Sequence, residues 1–422
     1  VYGELKKPIN GGWHDAADFS QGCHQTGLSI YAMLSLCDQL RRRQKEPMLQ
    51  QRILEEARWG LDWLLKTRFG DGYRIAFQVA RIYTDNTPGT LDDILTPAKN
   101  IPFLNLLCAA VEALAYECLH PSFPDQAQEC LRCAVEDWEF GMAADPDDYL
   151  TASWGVIASI HLHRITGKDR YKEKAQTCGQ IVLDCQERSF DGIPLAGYFY
   201  RDATHSALVH HNHLGFEESP LLALFSLCQA FPDHPRWIDW YAAAAIHADY
   251  LQKRGAETTA PYYILANGIY RLSEFADPPD SNTDQTFGVE TIQHEQTRRT
   301  RQKKLLQVQE GIPLGGGTYL KRFPVWENEL FRGGTAVQLS QALALTLAAS
   351  LRSDLPGEKL ALRQLQWVIG LNPFCQSLMY GEGYDYLSLH AHRQMDMVGA
   401  LPVGIDCRAG DQPHWSPSNY AT

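Results

Sequence analysis

The 422-residue sequence lacks several features that would place it in a special class of protein. It has no uninterrupted apolar run of about 18 residues, which a membrane-spanning helix requires. It also has no low-complexity tract long enough to indicate disorder. No signal peptide pattern is present, so the N-terminus does not reveal the compartment. With 45% hydrophobic and 21% charged residues, the chain has the composition of a globular protein.

Positive charge is scarce, which argues against a nucleic-acid partner. The formal net charge is -12 and the sequence pI is about 5.7, so most of the surface should repel a phosphate backbone. The basic stretch RRTRQKK (298–304) lies in a polar region. We interpret it as a solvated loop or helix face.

The 11 cysteines give no disulfide or metal pattern. Their number is odd, and most lie in apolar helical settings such as LLCAA (106–110). Cys130 and Cys133 form a CxxC pair, but no second pair follows at a spacing typical of zinc sites. Most of these cysteines are therefore predicted to be small buried hydrophobic residues.

Amphipathic helices of roughly 15 to 20 residues recur along the chain. They are predicted over 28–43, 48–67, 102–119, 127–143, 150–166, 169–186, 218–231, 235–254, 335–352 and 358–371. Strand-like alternation is scarce and occurs around 262–272. Short turns join many of the helices, which favours helix hairpins closed into an all-α toroid. The longest departures from helix are 189–216, 255–334 and 372–422, and their aromatic content favours functional loops.

The stretch GGWHDAAD (11–18) is the first candidate for chemistry. Asp15 and Asp18 could hold and deprotonate a water molecule, with one carboxylate acting as the base. Gly11 and Gly12 permit a tight backbone turn, and Trp13 could form a wall of the site. The alternative is that the two aspartates cap the following helix.

Two further clusters could bind metals. HSALVHHNHLGFEES (205–219) contains His211, His213 and Glu217, which could ligate zinc, although the HxH spacing is not the helical HExxH of metallohydrolases. Lining of a substrate cleft and plain surface are the other interpretations.

ADPDDYL (144–150) could bind calcium, but a helix-capping turn fits it better, because the glycine and final glutamate of a calcium loop are missing.

The C-terminal region carries motifs that, together with GGWHDAAD, indicate a family. Asn372, Pro373, Ser377, Gly381 and Gly383 fit the pattern NPxxxS-YVVGxG, and VGALPVGID (398–406) fits a VGxxVGGPD-like segment. Between them stands AHR (391–393), where the family has HHR. The chain thus resembles glycoside hydrolase family 9 over essentially its whole length.

This resemblance implies a fold and residue roles. The expected fold is all-α, an (α/α)6 barrel with long active-site loops. One catalytic domain is expected over residues 1–422, with trimming of the natural domain at both ends as an open alternative. Asp18 would be the base of an inverting β-glycoside hydrolase and Asp15 its partner in holding the water. Substrate contacts are predicted at Trp13, His14, His211, Trp326, Tyr384, His390, His392 and Arg393.

Three departures from the family pattern bear on the mechanism. Ala17 replaces a glycine, and Ala391 replaces a sugar-binding histidine. The family's proton-donating glutamate is expected just past Thr422. Within the chain, Glu327 and Glu329 are the best substitutes, with a loop ion pair to Arg332 as the other interpretation.

Aromatic residues fit a carbohydrate cleft, because sugar rings present apolar faces that stack on Trp and Tyr. The loop candidates are Tyr198, Tyr200, Trp326, Tyr384, Tyr386 and Trp415. Trp59, Trp63 and Trp138 lie in amphipathic helices and are predicted to be core residues.

The predicted function is hydrolysis of a β-linked glucan or related oligosaccharide, by endo or exo action. The alternatives are a catalytically silent carbohydrate-binding protein and a polysaccharide lyase of similar toroidal fold. The expected partner is an oligo- or polysaccharide, without nucleic acid or membrane. No cofactor is predicted, and a structural calcium ion stays an open alternative. The family suggests a secreted or periplasmic protein, whereas the cysteine content also fits the cytoplasm.

Overall fold

The computed structural model describes most of the chain. The described residues are 5–14, 19–79, 85, 87–211, 214–252, 259–275, 294–323, 326, 334–386, 398–406 and 414–417. Two compact units emerge, an N-terminal unit of Val1–Asp147 with Thr151–Gly179 and a C-terminal unit of Asp148–Leu150 with Gln180–Thr422. The prediction of a single domain over 1–422 stays a prediction.

Helices provide most of the regular structure in the first part of the chain. They are α1 Cys23–Arg42, α2 Pro47–Lys66, α3 Pro102–Leu119, α4 Pro124–Ala143, α5 Tyr149–Thr166 and α6 Asp169–Asp184. Three of them, α2, α3 and α4, begin with proline, whose missing N–H costs nothing in the first helical turn. Helix α1 packs against α2 and α3, and α3 packs against α4.

Helix α3 is the core helix of the N-terminal unit. It is long and apolar enough to span a membrane by composition, but 83% of its apolar window is buried inside the protein. A core helix of a globular unit has the same properties.

Asp148 precedes α5 and accepts a hydrogen bond from the Leu150 N–H at 2.9 Å, which confirms the interpretation of ADPDDYL as a helix-capping turn.

Short strands complete the N-terminal unit. They are β1 Ser20–Gly22, β2 Arg68–Gly70, β3 Tyr73–Arg74, β4 Phe77–Val79 and β5 Lys99–Asn100. Strands β1 and β4 pair antiparallel, and β2, β3 and β5 form a second small sheet in that order.

Buried charges connect this second sheet to α3 and α4. Arg74 from β3 pairs with Glu112 of α3 and Asp137 of α4, and all three side chains are at most 2% exposed. Arg68 from β2 also reaches Asp137, at 3.0 Å. Because these charges are buried, each depends on its partner for compensation.

The C-terminal unit contains the helices α7 Glu218–Ala230, α8 Trp237–Tyr250, α9 His294–Gln309, α10 Thr335–Arg352 and α11 Leu355–Val368. Helix α10 packs against α7, α8 and α11. The strands are β6 Gly268–Arg271, β7 Ile312–Gly315, β8 Thr318–Lys321, β9 Ile405–Asp406 and β10 His414–Pro417. Strand β8 lies between β6 and β7, and β9 pairs with β10. The strand predicted around 262–272 is confirmed over 268–271.

Two predictions about particular segments were wrong. Helix α9 lies within 255–334, which was predicted to be non-helical, although a solvated helix face for RRTRQKK was one of the two interpretations offered. Trp59 is 54% exposed rather than a core residue, whereas Trp63 and Trp138 are buried as predicted. The cysteine prediction is confirmed for the described residues: most thiols are buried and none of the described cysteines forms a disulfide, with Cys375 exposed.

Candidate active site

The GGWH segment (residues 11–14) is described, and Asp15 and Asp18 lie outside the described residues. Gly11 and Gly12 have φ angles of +99° and +72°, in the left-handed region that favours glycine. A Cβ atom on Gly12 would lie 2.6 Å from Cγ of Trp63. Glycine is therefore required at position 12 by both backbone conformation and space.

Helix α2 holds the GGWH segment through specific hydrogen bonds. The Trp59 indole N–H donates to the Gly12 carbonyl at 3.1 Å, and the Trp13 indole N–H donates to the Glu56 carboxylate at 2.6 Å. The Trp13 ring lies directly against Gly60, where a Cβ atom would approach it to 2.2 Å. Trp13 therefore packs on α2, and part of its ring stays accessible.

His14 and Phe19 are the described residues on either side of positions 15–18. His14 is exposed, and Phe19 is 2% exposed with a φ of +59°. Their ring centroids lie 5.0 Å apart. The two ends of the aspartate-bearing segment are thus close together in the N-terminal unit.

The histidine-rich segment lies in the C-terminal unit. His210 stacks on Tyr270 with ring centroids 4.1 Å apart, and its Nε2 lies 3.0 Å from the Glu274 carboxylate. His211 is buried, and its carbonyl accepts a hydrogen bond from the Asn267 side chain at 3.1 Å. His213 lies outside the described residues.

A small cavity in the C-terminal unit brings His211 and Glu217 together. Its lining also includes Tyr149, Tyr198, Tyr250 and Asn267. It offers about 30 Å³ of space for water-sized molecules, which is enough for a buried water and far below the volume of a ligand pocket. A sugar ring does not fit in this cavity as it stands, so contact between His211 and substrate stays a prediction.

Glu217 and His247 form a buried pair beside this cavity. Glu217 Oε1 lies 3.6 Å from His247 Nε2, and Nδ1 of His247 lies 2.8 Å from the Gly197 carbonyl. Donation from Nδ1 to that carbonyl leaves Nε2 as an acceptor in the neutral imidazole.

Burial keeps both members of the pair neutral. Desolvation raises the pKa of Glu217 to about 8, with a further contribution from the neighbouring Glu218 carboxylate. The same effect lowers the pKa of His247 to about 4 and that of His211 to about 3. At neutral pH the Glu217 carboxyl therefore carries its proton, and at 3.6 Å its Oε1 is too far from His247 Nε2 for a hydrogen bond.

Of the remaining residues predicted to contact substrate, Trp326 is buried and Tyr384 is exposed. Trp326 is 3% exposed and packs edge-on against Tyr270, with Lys321 Nζ 4.7 Å from its ring. Tyr384 is fully exposed. His390, His392 and Arg393 lie outside the described residues, as do the substitute acids Glu327 and Glu329.

The part of the chain that the structure describes contains no group of three His, Cys, Asp or Glu side chains that could hold a metal ion. Of the proposed zinc ligands, His211 and Glu217 do line one cavity.

Sequence reasoning missed three residues of these sites. Trp59 was assigned to the core because its helix is amphipathic, and nothing in the sequence marked Glu56 as the partner of Trp13. His247 lies on α8, far along the chain from Glu217, and only the folded structure shows that they meet.

Comparison with known proteins identifies the class. Residues 4–212 match the model of glycosyl hydrolase family 9, and the resemblance predicted from the sequence is thereby confirmed. Over these residues, which make up just under half of the chain, the protein is similar to glycosyl hydrolase family 9.

A curated relative and two solved structures illustrate the likeness. Endoglucanase D of Acetivibrio thermocellus is 25% identical over 154 residues, covering 32% of this chain and 23% of the relative. The cellulase Cel9M of C. cellulolyticum in complex with cellobiose is 12% identical, with 98% of this chain and 84% of that chain covered and a TM-score of 0.59. A metagenome-derived family 9 endoglucanase is 18% identical, with 97% and 66% covered and a TM-score of 0.53.

These structural likenesses establish the fold. The all-α, (α/α)6-barrel class predicted from the sequence is confirmed by the family 9 structures that share it. The match to the curated endoglucanase spans less than a quarter of that relative.

Proposed function

We propose that the protein is an inverting β-glycoside hydrolase that acts on a β-linked glucan or a related oligosaccharide. Asp18 is the base, and Asp15 helps it to hold the nucleophilic water. The observation that carries this proposal is the GGWHDAAD motif within the family-matched residues 4–212. The fixed backbone of Gly11 and Gly12 supports it, because a catalytic carboxylate needs a defined approach to its substrate.

Inversion follows from a base that acts through water. The base removes a proton from water while the water oxygen attacks the anomeric carbon, on the face opposite the leaving oxygen. A carboxylic acid protonates that leaving oxygen. The two carboxyl groups of such an enzyme stand roughly 6.5–9.5 Å apart, which leaves room for the water. Within the sequence, Glu327 and Glu329 are the candidates for this acid.

Exposed aromatic rings support a carbohydrate substrate. Tyr384 and Tyr386 are large exposed rings, and such rings stack on the apolar faces of sugars. The cellulase Cel9M is described in complex with cellobiose. For the present chain, a β-glucan substrate and a secreted or periplasmic location are proposals.

The test is reducing-sugar release from β-glucans, chitosan oligomers and uronic-acid polymers, using the full-length protein, Asp18→Asn and the control Asp125→Asn. Asp125 is exposed in the first turn of α4. We expect release that Asp18→Asn abolishes and Asp125→Asn preserves, with inverted configuration in the first product seen by NMR.

Other outcomes distinguish the alternatives. Turnover that survives in Asp18→Asn would remove Asp18 from the role of base. Oligosaccharide binding without release would identify a carbohydrate-binding protein, and a product that absorbs near-ultraviolet light as an unsaturated uronide would identify a lyase.

A further inference from the structure

The segment that carries Asp15 and Asp18 is fixed on both sides by side chains that belong to other elements of the N-terminal unit. On its N-terminal side, Gly12 and Trp13 are bonded to α2. The Lys66 ammonium, at the end of α2, donates to the Asn10 carbonyl at 3.3 Å. Residues 10, 12 and 13 are thus all bonded to one helix.

The C-terminal side is held by the β1–β4 pair. The Gln78 amide of β4 donates to the Phe19 carbonyl at 3.3 Å and to Gln21 Oε1 at 3.1 Å. Gln21 in turn donates to the Gly11 carbonyl at 2.8 Å. This last bond joins residue 11, before the aspartates, to residue 21, after them.

Core packing does not account for the position of Trp59. Its side chain is 54% exposed, although tryptophan is among the most buried residues on average. Its indole N–H nevertheless has a defined acceptor, the Gly12 carbonyl, three residues before Asp15. The contact therefore fixes the backbone of the motif more than it fills the interior.

Glu56 makes a similar contact one helical turn earlier. Its carboxylate accepts the Trp13 N–H at 2.6 Å, a short distance that is typical of a hydrogen bond to a charged acceptor. Glu56 and Trp59 are three positions apart and lie on one face of α2. Together they hold two consecutive residues of the GGWH segment.

We infer that Trp59 and Glu56 are positioning residues for the catalytic aspartates, an inference that rests on the proposed function. Trp59 acts through the backbone carbonyl of Gly12, and Glu56 acts through the side chain of Trp13. Both contacts hold the residues that directly precede the two aspartates. A misplacement of about 1 Å in a catalytic group can cost on the order of 100-fold in rate. Loss of either contact therefore lowers turnover more than it lowers substrate affinity.

The test compares Trp59→Phe with Trp237→Phe in the full-length protein. Phenylalanine keeps an aromatic ring and removes only the N–H donor and part of the indole. Trp237 is the matched control, because its indole N–H also donates to a backbone carbonyl at 3.1 Å, that of Cys228, and it is likewise only partly buried. The probe substrate is cellopentaose, and hydrogen–deuterium exchange of the amides in residues 11–21 provides a readout that does not depend on activity.

We expect amide exchange in residues 11–21 to be about fivefold faster in Trp59→Phe, as for the loss of one hydrogen bond, and unchanged in Trp237→Phe. We expect kcat to fall about fivefold or more in Trp59→Phe with little change in KM. Glu56→Gln, which keeps an acceptor oxygen, should retain more activity than Glu56→Ala.

Unchanged exchange in Trp59→Phe would overturn the inference whatever the activity of the protein. Faster exchange with an unchanged kcat would also overturn it, as would an equal fall of kcat in both variants. Failure of the proposed function has a different signature, because Asp18→Asn would then turn over cellopentaose like the wild type.

Discussion

The buried Glu217 carboxyl should make the protein less stable as the pH rises. Its folded-state pKa is about 8, because burial disfavours the charged form, whereas a glutamate in an unfolded chain titrates near 4.3. Below pH 4 the group is protonated in both states and costs nothing. Between these two pKa values the unfolded chain loses the proton and the folded protein keeps it, so stability falls with pH.

The size of the effect follows from the pKa shift. A shift of one unit corresponds to about 1.4 kcal/mol, so a shift from near 4.3 to about 8 corresponds to roughly 5 kcal/mol at most. Glu217→Gln removes the titration and keeps the length and shape of the side chain. The variant should match the wild type within about 1 kcal/mol at pH 5 and exceed its stability by several kcal/mol at pH 9.

The assay is urea unfolding at pH 5, 7 and 9, followed by tryptophan fluorescence. The titrations of His211 and His247 occur in both proteins, so the difference between variant and wild type isolates Glu217. Glu173→Gln, an exposed glutamate in α6, is the control and should give a constant difference. If the difference between Glu217→Gln and wild type does not grow with pH, Glu217 is not held protonated by burial.

Three further predictions follow from the geometry. Gly12→Ala should lower the free energy of unfolding by about 2–4 kcal/mol, because the new Cβ meets Trp63 and φ is positive; a loss below about 0.5 kcal/mol in denaturant titrations would contradict this. Asp137→Ala should cost about 3–5 kcal/mol by leaving Arg74 buried without that partner, and a loss within the roughly 1 kcal/mol of a surface pair would refute the argument. In the native protein, iodoacetamide should label the exposed Cys375 well before the buried Cys108, as measured by peptide mass spectrometry. Equal labelling rates would contradict this difference in exposure.

Helices with a continuous apolar face were predictable because burial of that face decides their extent. The ranges 102–119 and 335–352 coincide with α3 and α10 residue for residue. Helix α9 was not predicted because its sequence is mostly polar and has few apolar residues. Its Val308 is fully buried and clusters with Tyr270 and Trp326. A contact of this kind exists only once the neighbouring strands are in place.

In the candidate site, too, the local motif was predictable from the sequence and the contacts between distant residues were not. GGWHDAAD was recognisable because its chemistry is local: two glycines set the backbone and the aspartates follow within a few residues. Contacts between distant residues left no comparable signal. The Trp59 bond to Gly12 spans 47 positions, and helical periodicity indicated only that a tryptophan on α2 should face the interior.

The attachment of the GGWH segment to α2 has a consequence for protein engineering. Gly12 fits against Trp63, Trp13 fits against Gly60, and Glu56 and Trp59 supply the hydrogen bonds. Grafting this motif into a related barrel would therefore succeed only if the donor's second helix were transferred with it. The helix and the motif constitute a single exchangeable part, although more than thirty residues separate them in the chain.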